Sequence, residues 1–227
     1  PKKTMYMVVF RKNQQIGTSE VQMQTLLQKI LLLGTNNPNK VKELRQLLSP
    51  LSEIELITPQ EIGIHIDVKE TGNTYQENAL LKAQTFSDAS GLICLADDSG
   101  LEVGVLNGAP GLFSARFSPK PGANDRDRRE ILLEKCTDFP KPWKAKFRAV
   151  IAIALPDQSN FFAEGKCQGQ IIAEERGENG FGYDPIFYIP SIGATMAELD
   201  DVQKNKISHR GLAINNAIPI LKNIFTG

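Results

Sequence analysis

The chain has 227 residues, enough for one large α/β domain or two small ones with a substantial hydrophobic core. Its 26 basic and 26 acidic side chains balance, so no global field favours a nucleic acid polymer or an acidic membrane, and any anion site must be local. The three cysteines, Cys94, Cys136 and Cys167, are widely spaced and odd in number, which argues against a disulfide framework or a zinc site and favours a reducing compartment.

Residues 1–29 are expected to form an N-terminal extension, and residues 30–227 the functional domain. The apolar stretch from Met5 to Phe10 is too short for the apolar region of a secretory signal, and Arg11 and Lys12 follow it at once. No apolar run approaches the roughly 20 residues needed to cross a bilayer. We therefore expect a soluble cytoplasmic protein without a membrane partner.

The domain is expected to begin with a strand, a loop and a helix. Lys29 to Thr35 is typical of a short buried strand, which stops at Gly34. Asn37 is a good N-cap residue, and Pro38 suits the first position of a helix. The predicted helix carries an apolar stripe at helical spacing, formed by Val41, Leu44, Leu47 and Leu48.

This first loop is a candidate phosphate site. Backbone N–H groups and the dipole of a helix N-terminus can hold a phosphate, and Lys40 adds a positive charge. The segment is not a Walker A loop, because Lys40 stands between Asn39 and Val41 rather than between Gly and Ser or Thr. A phosphate enzyme of this kind would have to take its metal from carboxylates elsewhere. The alternative is an ordinary connection between a strand and a helix.

Three more elements follow in the first half of the chain. Glu53 to Ile57 predicts a second strand, and Tyr75 to Ser90 predicts a helix. Thr74 and Glu77 have the spacing of a capping box at the start of that helix. The apolar run beginning at Leu92 predicts another strand.

Two adjacent carboxylates, Asp97 and Asp98, stand at the expected end of this last strand. Open α/β sheets bind ligands at the carboxyl ends of their strands, so the two acids indicate a site for a metal or a water molecule. The alternative is a simple turn, since Asp, Ser and Gly at positions 97–100 are common turn residues. If the strand continued regularly, the two acids would face opposite ways, and equal roles are therefore not expected.

The second half of the chain is expected to contain a long loop, a helix, two strands, a glycine-rich loop and a closing helix. The two strands flank a turn-like connection at residues 156–159, which predicts a lobe of antiparallel strands. A further short strand is expected after the glycine-rich loop. The elements are assigned, in chain order, to residues 107–126, 126–135, 147–155, 161–174, 177–185 and 207–225.

A cluster of cations marks the start of the closing helix. Lys204 and Lys206 precede His209 and Arg210, although the helix dipole disfavours positive charge at an N-terminus. An anionic ligand would resolve this conflict, whereas a purely structural account requires solvent exposure or another nearby anion.

Phe181-Gly-Tyr-Asp184 is a candidate for binding a nucleobase. It combines an aromatic platform, a glycine that allows close backbone approach, and a carboxylate. The alternative is that Phe181 and Tyr183 are core aromatic residues. His65 is most simply an exposed strand residue and receives no role.

Six blocks taken together resemble the inosine/xanthosine triphosphate pyrophosphatase family, from about residue 30 to the end. Asn36 departs from the glycine that the family commonly has in its first block, and Asn tolerates a left-handed backbone better than most residues. Lys69 departs from the acid that some relatives have before Glu70. The blocks are Thr35-Asn-Asn-Pro-Asn-Lys40, Glu70-Thr-Gly72 with Glu77-Asn78 and Lys82, Ala96-Asp-Asp-Ser-Gly-Leu101, Gly108-Ala-Pro-Gly111 with Ser114-Ala-Arg116, Phe181-Gly-Tyr-Asp-Pro185, and Ser208-His-Arg-Gly211.

The resemblance implies an α/β fold with an elongated mixed sheet, flanking helices and two lobes around a nucleotide-binding cleft. It further implies a homodimer and Mg²⁺-dependent hydrolysis of ITP, dITP or XTP to the monophosphate and pyrophosphate. Asp98 would bind Mg²⁺ or act as the base for the attacking water, with Glu70 and Asp97 completing the metal environment. Lys40, Lys204 and Lys82 would neutralise phosphate charge, and Arg210 and His209 would donate to the 6-oxo group of the base. Substrate contacts are expected from Thr35, Asn36, Asn37, Pro38, Asn39, Lys40, Ser99, Phe181, Gly182, Tyr183, Asp184, Lys204, His209 and Arg210.

Two other functions remain open from the sequence. A nucleotide sensor without turnover would keep the basic and aromatic residues but would not need Asp97, Asp98 and Glu70. A related pyrophosphatase for modified pyrimidine nucleotides would need the acids, but the Ser-His-Arg block at residues 208–210 argues against it.

Overall fold

The computed structural model describes residues 29–226, so the extension predicted for residues 1–29 lies almost entirely outside the described residues. These residues form a mixed seven-stranded sheet in the order β2-β1-β3-β4-β5-β6-β7. The strands are β1 (Ile30–Leu33), β2 (Glu55–Ile57), β3 (Ile93–Val103), β4 (Trp143–Ala154), β5 (Asn160–Ile171), β6 (Phe187–Ile189) and β7 (Ala194–Thr195). The helices are α1 (Pro38–Leu47), α2 (Tyr75–Ser90), α3 (Asp125–Cys136), α4 (Asp201–Ile207) and α5 (His209–Thr226).

The sheet confirms the expected α/β class and its mixed pairing. Strand β1 pairs in parallel with both β2 and β3, as strand-helix-strand connections require. From β3 onward each neighbouring pair is antiparallel, which confirms the predicted antiparallel lobe. The short strand expected after the glycine-rich loop is β6, whereas β7, only two residues long, was not predicted.

Strand β3 does not end at Asp97. It continues through both acids to Val103, with Asp97 opposite Ile151 and Asp98 opposite Val150 on β4. The alternative of a simple turn at residues 97–100 is therefore wrong, because pairing with β4 continues along the whole segment and overrides the local turn preference. Gly100 has a different purpose: a Cβ there would lie 2.3 Å from the carbonyl oxygen of Gly111, so only glycine allows this close approach.

The two faces of the sheet carry different helices. Helices α1 and α5 bury one face with Leu44, Ile214 and their neighbours, against β-strand residues such as Ile151. Helix α2 covers the opposite face through small residues such as Ala79 and Ala83. The far ends of β3, β4 and β5 enter a separate core with α3 and β6, so the long strands connect two lobes.

The predicted N-caps are confirmed at the starts of α1 and α2, but the capping box predicted for α2 is not complete. Asn37 caps α1 and Pro38 follows it, as predicted. Thr74 accepts the Glu77 N–H, but the Glu77 carboxylate bonds the N–H of Asn73 instead of that of Thr74, so the predicted capping box is only half formed.

The closing helix predicted at residues 207–225 is α5, and a separate short helix that was not predicted, α4, precedes it. The chain is extended at Ser208, which separates α4 from α5 and whose hydroxyl accepts the N–H of Gly211. The long loop predicted over residues 107–126 contains a 3₁₀ segment, Gly111–Arg116.

Cys94, Cys136 and Cys167 are buried free thiols. Burial raises the pKa of the Cys136 thiol to about 11. Among residues 29–226, no helix combines the length and the apolar character that crossing a membrane requires.

Candidate active site

A cleft of about 280 Å³ opens beside β3 and receives residues from both lobes. Predicted site residues from five separate segments of the sequence meet in its wall. These segments are the candidate phosphate loop, the two acidic segments, the cation cluster and residues 181–184, which we call the aromatic loop. These predicted residues are Asn37, Lys40, Glu70, Asp98, Ser99, Phe181, Gly182, Tyr183, Asp184, Lys204, His209 and Arg210.

Other predicted residues lie outside the wall. Asn36, Pro38 and Asn39 are exposed on the loop before and within the first turn of α1, and the Thr35 hydroxyl accepts the N–H of Asn37. Asp97 and Lys82 lie behind the wall, where they contact residues that do line it. His65 is exposed, as predicted, but it lies outside any strand.

The two adjacent acids point to opposite faces of the sheet, as regular strand geometry demands. Asp98 points toward α2, where its Oδ1 lies 3.0 Å from Lys82 Nζ and its Oδ2 accepts from Asn78 at 3.4 Å. Asp97 points toward α1 and α5 and is 1% exposed, whereas Asp98 lines the cleft. The expectation of unequal roles therefore has a clear geometric basis.

Lys82 joins Asp98 to a second carboxylate. Its Nζ lies 2.6 Å from Glu70 Oε1, and the half-exposed Arg116 reaches Glu70 Oε2 at 3.2 Å. Burial raises the pKa of Asp98, and the neighbouring Glu70 charge adds to the rise, while Lys82 opposes it. Burial alone would raise the pKa of Glu70 as well, but Lys82 holds it below its ordinary value. We infer that the two carboxylates share one cation in this arrangement.

The donor set suits a hard divalent cation. Mg²⁺ in phosphate enzymes is typically held by one or two carboxylates, with water and substrate phosphates supplying the other oxygens. Glu70 and Asp98 supply two carboxylates around a position that already holds a positive group, Lys82 Nζ. Among residues 29–226, no group of three or more His, Cys, Asp or Glu side chains is arranged to hold a metal by itself, so substrate oxygens would have to complete the coordination.

Six side chains of alternating charge, all buried except the partly buried Lys40, form a line in and directly behind the wall of the cleft, and we call it the ionic chain. Each of the four inner members contacts an opposite charge on both sides, and each of the two terminal members contacts one. The distances between the charged atoms range from 2.5 to 3.1 Å. The order is Lys40, Asp97, Arg210, Glu43, Lys204 and Asp184. It runs from the phosphate loop on α1 to the aromatic loop.

Within the ionic chain, Asp97 is held by cations at both of its carboxylate oxygens. Its Oδ2 accepts from both Nε and NH2 of Arg210, while its Oδ1 lies 3.1 Å from Lys40 Nζ without hydrogen-bond alignment. Burial by itself would raise the pKa of Asp97, but Lys40 and Arg210 hold it well below its usual range. The carboxylate is therefore ionised and fully engaged by cations.

The conflict between cations and the α5 helix dipole is resolved inside the protein. Arg210 is 2% exposed and donates to Asp97, Ser99 and Glu43, the last at 2.5 Å. The alternative of another nearby anion is therefore confirmed for Arg210, because buried carboxylates from α1 and β3 provide the negative charge. Four of the five guanidinium hydrogens are used in these bonds, which leaves one on NH1.

The N-terminus of α1 is also satisfied internally. The Asn37 carboxamide oxygen accepts from the N–H groups of Asn39 and Lys40, at 3.0 and 3.4 Å. A phosphate could use these N–H groups only by replacing the Asn37 side chain. Asn37 and Lys40 side chains themselves line the cleft, so they are the direct contacts that this loop offers.

An aromatic and cationic wall closes the other end of the cleft. Lys204 Nζ lies 4.9 Å from the centre of the Phe181 ring, and the Arg210 guanidinium carbon lies 5.8 Å from it. Asp184 accepts from Lys204 and from the Phe181 N–H, which holds the loop in place. Tyr183 is buried and donates to the Ser114 carbonyl.

His209 stacks on Phe147 with ring centres 4.7 Å apart. Burial lowers its pKa well below the ordinary value near 6.5, and the charges of Arg210 and Lys204 lower it further. Its buried Nδ1 has no hydrogen-bond partner among the described residues, so the neutral imidazole has an unused polar atom beside the cleft.

We expect the neutral state of His209 to make stability depend on pH. The unfolded chain protonates this histidine below about pH 6.5 while the folded protein does not, so stability falls as pH decreases through that value. Between pH 7.5 and 5.5, wild type should lose about 1 kcal/mol more unfolding free energy than His209→Phe. Urea denaturation at both pH values measures the difference. His65→Gln, at the other histidine of the chain, serves as control, and equal pH slopes for wild type and His209→Phe would contradict the prediction.

Sequence reasoning missed several residues of the site. Glu43 lies on α1 next to the predicted apolar position Leu44, and nothing local shows that it is buried under two cations. Asp125 and Arg128, at the start of α3, line the cleft beside Tyr183. A signal did exist for Asp125, because Asn124 and Asp127 form a capping box that places the helix start there, one residue before the predicted Arg126.

A family model and curated relatives match this chain over most of its length. A sequence model of the Ham1 family matches residues 31–220. A dITP/XTP pyrophosphatase of Desulforamulus reducens is 46% identical over 196 residues, which cover 86% of this chain and 96% of that protein. A protein of the same name from Haemophilus influenzae is 46% identical over 187 residues, covering 82% of this chain and 95% of its own length.

Solved structures agree with this result. The Ham1 protein of Coxiella burnetii superposes with a TM-score of 0.78 at 41% sequence identity, covering 86% of this chain and 98% of the other. The Staphylococcus aureus Ham1 protein gives a TM-score of 0.76 at 38% identity, covering 86% of this chain and 99% of the other.

Proposed function

This chain belongs to the Ham1 family, and we propose that it hydrolyses the non-standard purine nucleotides dITP, ITP and XTP to the nucleoside monophosphate and pyrophosphate. It is a hydrolase of phosphoric anhydride bonds, whose role would be to remove these nucleotides from the precursor pool. The observation that carries the proposal is one cleft with an acid and lysine cluster at one end and an aromatic, cationic wall at the other.

The phosphate end supports attack on the α phosphorus. Asp98 lines the cleft and would bind Mg²⁺ together with Glu70 or accept the proton of the attacking water. When bound, Mg²⁺ offsets phosphate charge and polarises the bond that breaks. Lys40 and Lys82 would neutralise further negative charge, with Lys40 already in the wall of the cleft, whereas Lys204, expected in the same role, lies beside Phe181 at the other end.

Asp97 would act at this site without touching the substrate. Both of its oxygens face cations and it does not line the cleft, which supports a role in holding Lys40 and Arg210 in place. This division of labour assigns the reaction to Asp98 and the positioning of the cations to Asp97.

The base end supports selection of a 6-oxo purine. Phe181 offers a ring for stacking, and Ser99 and Gly182 allow the nucleotide to lie close to β3 and to the loop. Lys204, the remaining NH1 hydrogen of Arg210 and the imidazole of His209 are the donors available for the 6-oxo group. A buried donor that meets the amino group of adenine would be left unpaired, which is a strong basis for discrimination.

We also propose a homodimer in the cytoplasm, with a catalytic domain over residues 30–227 and an extension over residues 1–29. The buried free thiols fit a reducing compartment, and the family match begins at residue 31. The balanced charge supports small nucleotides rather than a nucleic acid polymer as partners.

The products of the first turnover test the proposal. Attack at the α phosphorus releases pyrophosphate, so ³¹P NMR should show pyrophosphate and a nucleoside monophosphate from dITP, ITP and XTP, with far less turnover of ATP, GTP and modified pyrimidine triphosphates. Omitting Mg²⁺ should abolish the signal. Orthophosphate with a nucleoside diphosphate would contradict the assignment, binding without turnover would support the sensor, and preference for a modified pyrimidine would support the related pyrophosphatase.

A further inference from the structure

Two side chains of helix α3 hydrogen-bond both backbone groups of one residue in the aromatic loop, Gly182. The Gly182 N–H donates to Asp125 Oδ2 at 2.7 Å, and the Gly182 carbonyl accepts from Arg129 NH1 at 2.8 Å. Asp125 and Arg129 are four residues apart in one helix, so their side chains project from the same face. Two side chains of opposite charge therefore hold the two sides of one glycine.

These two bonds fix more than one peptide group. The N–H belongs to the peptide that joins Phe181 to Gly182, and the carbonyl belongs to the peptide that joins Gly182 to Tyr183. Gly182 has a φ of +64°, a conformation that glycine adopts without cost but does not prefer over others. Holding both peptide groups removes this freedom and sets the direction in which Phe181 and Tyr183 leave the glycine.

Each of the two side chains is itself held. Asp125 Oδ1 accepts from Arg128 NH1 at 2.6 Å. Arg129 makes a two-pronged ion pair with Glu175, with bonds of 2.8 and 3.0 Å, and only 12% of its side chain is exposed. Planar, two-pronged pairs of this type have defined geometry, so the contact with Gly182 starts from a fixed support.

We propose that Asp125 and Arg129 are positioning residues that set base selectivity by fixing Gly182 and, through it, the Phe181 ring. The inference rests on the proposed function, in which Phe181 stacks on the base. Arg129 does not line the cleft, so its effect on the substrate must pass through the loop. The phosphate end lies on other segments, namely α1, β3, α2 and the loop that carries Glu70, whereas the hydrogen bonds of Asp125 and Arg129 go to Arg128, Glu175 and Gly182.

Arg129→Met tests the inference, because it keeps most of the aliphatic stem and removes the donor to Gly182. We expect the KM for dITP and XTP to rise about ten-fold, as for a lost partly buried hydrogen bond, with kcat within about three-fold of wild type. The preference for ITP over ATP should narrow in parallel. Arg129→Lys, which keeps a donor, should restore part of the loss. Arg126→Met is the matched control on the same helix, because Arg126 is largely exposed and pairs with Glu130 one turn along that helix.

Two inhibitors separate positioning from general damage. IMP carries a base and should bind Arg129→Met more weakly, whereas inorganic tripolyphosphate uses only the phosphate end and should inhibit both proteins equally. Equal weakening of both inhibitors, or a lower kcat at unchanged KM, would overturn the inference, as would no change at all. Wild type in the same assay controls for the proposed function: if it releases no pyrophosphate from dITP or XTP, that function fails first, and IMP binding by itself then tests whether Arg129 positions the loop.

Discussion

Asp98→Asn is expected to reduce turnover of dITP and XTP by about 10²- to 10⁴-fold while the protein stays folded. The change keeps the shape of the side chain and its contact with Asn78, but removes the negative charge that faces Lys82 and the cleft. Neither a metal nor an attacking water would then find a carboxylate at this position. Steady-state kinetics and thermal melting of the same preparation measure the two effects separately.

Asp157→Asn is a suitable control, since Asp157 is an exposed residue in the turn between β4 and β5. It should behave as wild type in both measurements. Turnover of Asp98→Asn within ten-fold of wild type in a folded protein would remove Asp98 from the mechanism and leave Glu70 as the principal acid of the cleft.

Arg210→Ala is expected to cost about 3–5 kcal/mol of unfolding free energy, because it leaves Asp97 and Glu43 with too few cations in a buried position. This loss is much larger than for a surface ion pair, which contributes about 0–1 kcal/mol. Denaturant unfolding of Arg210→Ala and of Arg126→Ala, an exposed arginine in a simple helical pair, gives the comparison. A loss below about 1 kcal/mol for Arg210→Ala would show that the ionic chain does not depend on its central cation.

Arg210→Ala also tests whether Arg210 contacts the purine base, provided that the kinetic assay is run under conditions in which the variant is folded. If the remaining NH1 hydrogen of Arg210 meets the 6-oxo group, kcat/KM should fall more for ITP than for ATP. An unchanged ratio would assign Arg210 to structure alone and leave base reading to Lys204, His209 and the aromatic loop. Arg210→Lys keeps a charge between the two carboxylates and provides a more stable protein for the same measurement.

Sequence patterns predicted the local elements well where a short-range signal exists. Asn37 and Thr74 set the starts of their helices by accepting bonds from residues two or three positions away, and Pro38 suits the first helical position through its fixed φ. The helix Tyr75–Ser90 was predicted with its observed bounds for this reason. Six sequence blocks also sufficed to identify the family and its fold.

The errors share a different cause, which is contact across long sequence distances. The strand expected to end at Asp97 and Asp98 instead continues to Val103, because it pairs with β4, about fifty residues later. Glu43 is buried under Lys204 and Arg210, and Asp125 reaches Gly182, 57 residues away. Local propensity carries no information on such partners, so Asp97, Lys40 and Arg210 could each be named as site residues from the sequence, while the ion pairs between them could not.

The ionic chain also limits how this sequence can diverge. Glu43 pairs with both Lys204 and Arg210, so replacing either cation leaves this buried glutamate with one positive partner instead of two. Substitutions at these positions are therefore strongly coupled rather than additive. A change of base preference through Lys204 or Arg210 therefore requires a simultaneous change at Glu43. Without it, the change passes through an intermediate that folds poorly.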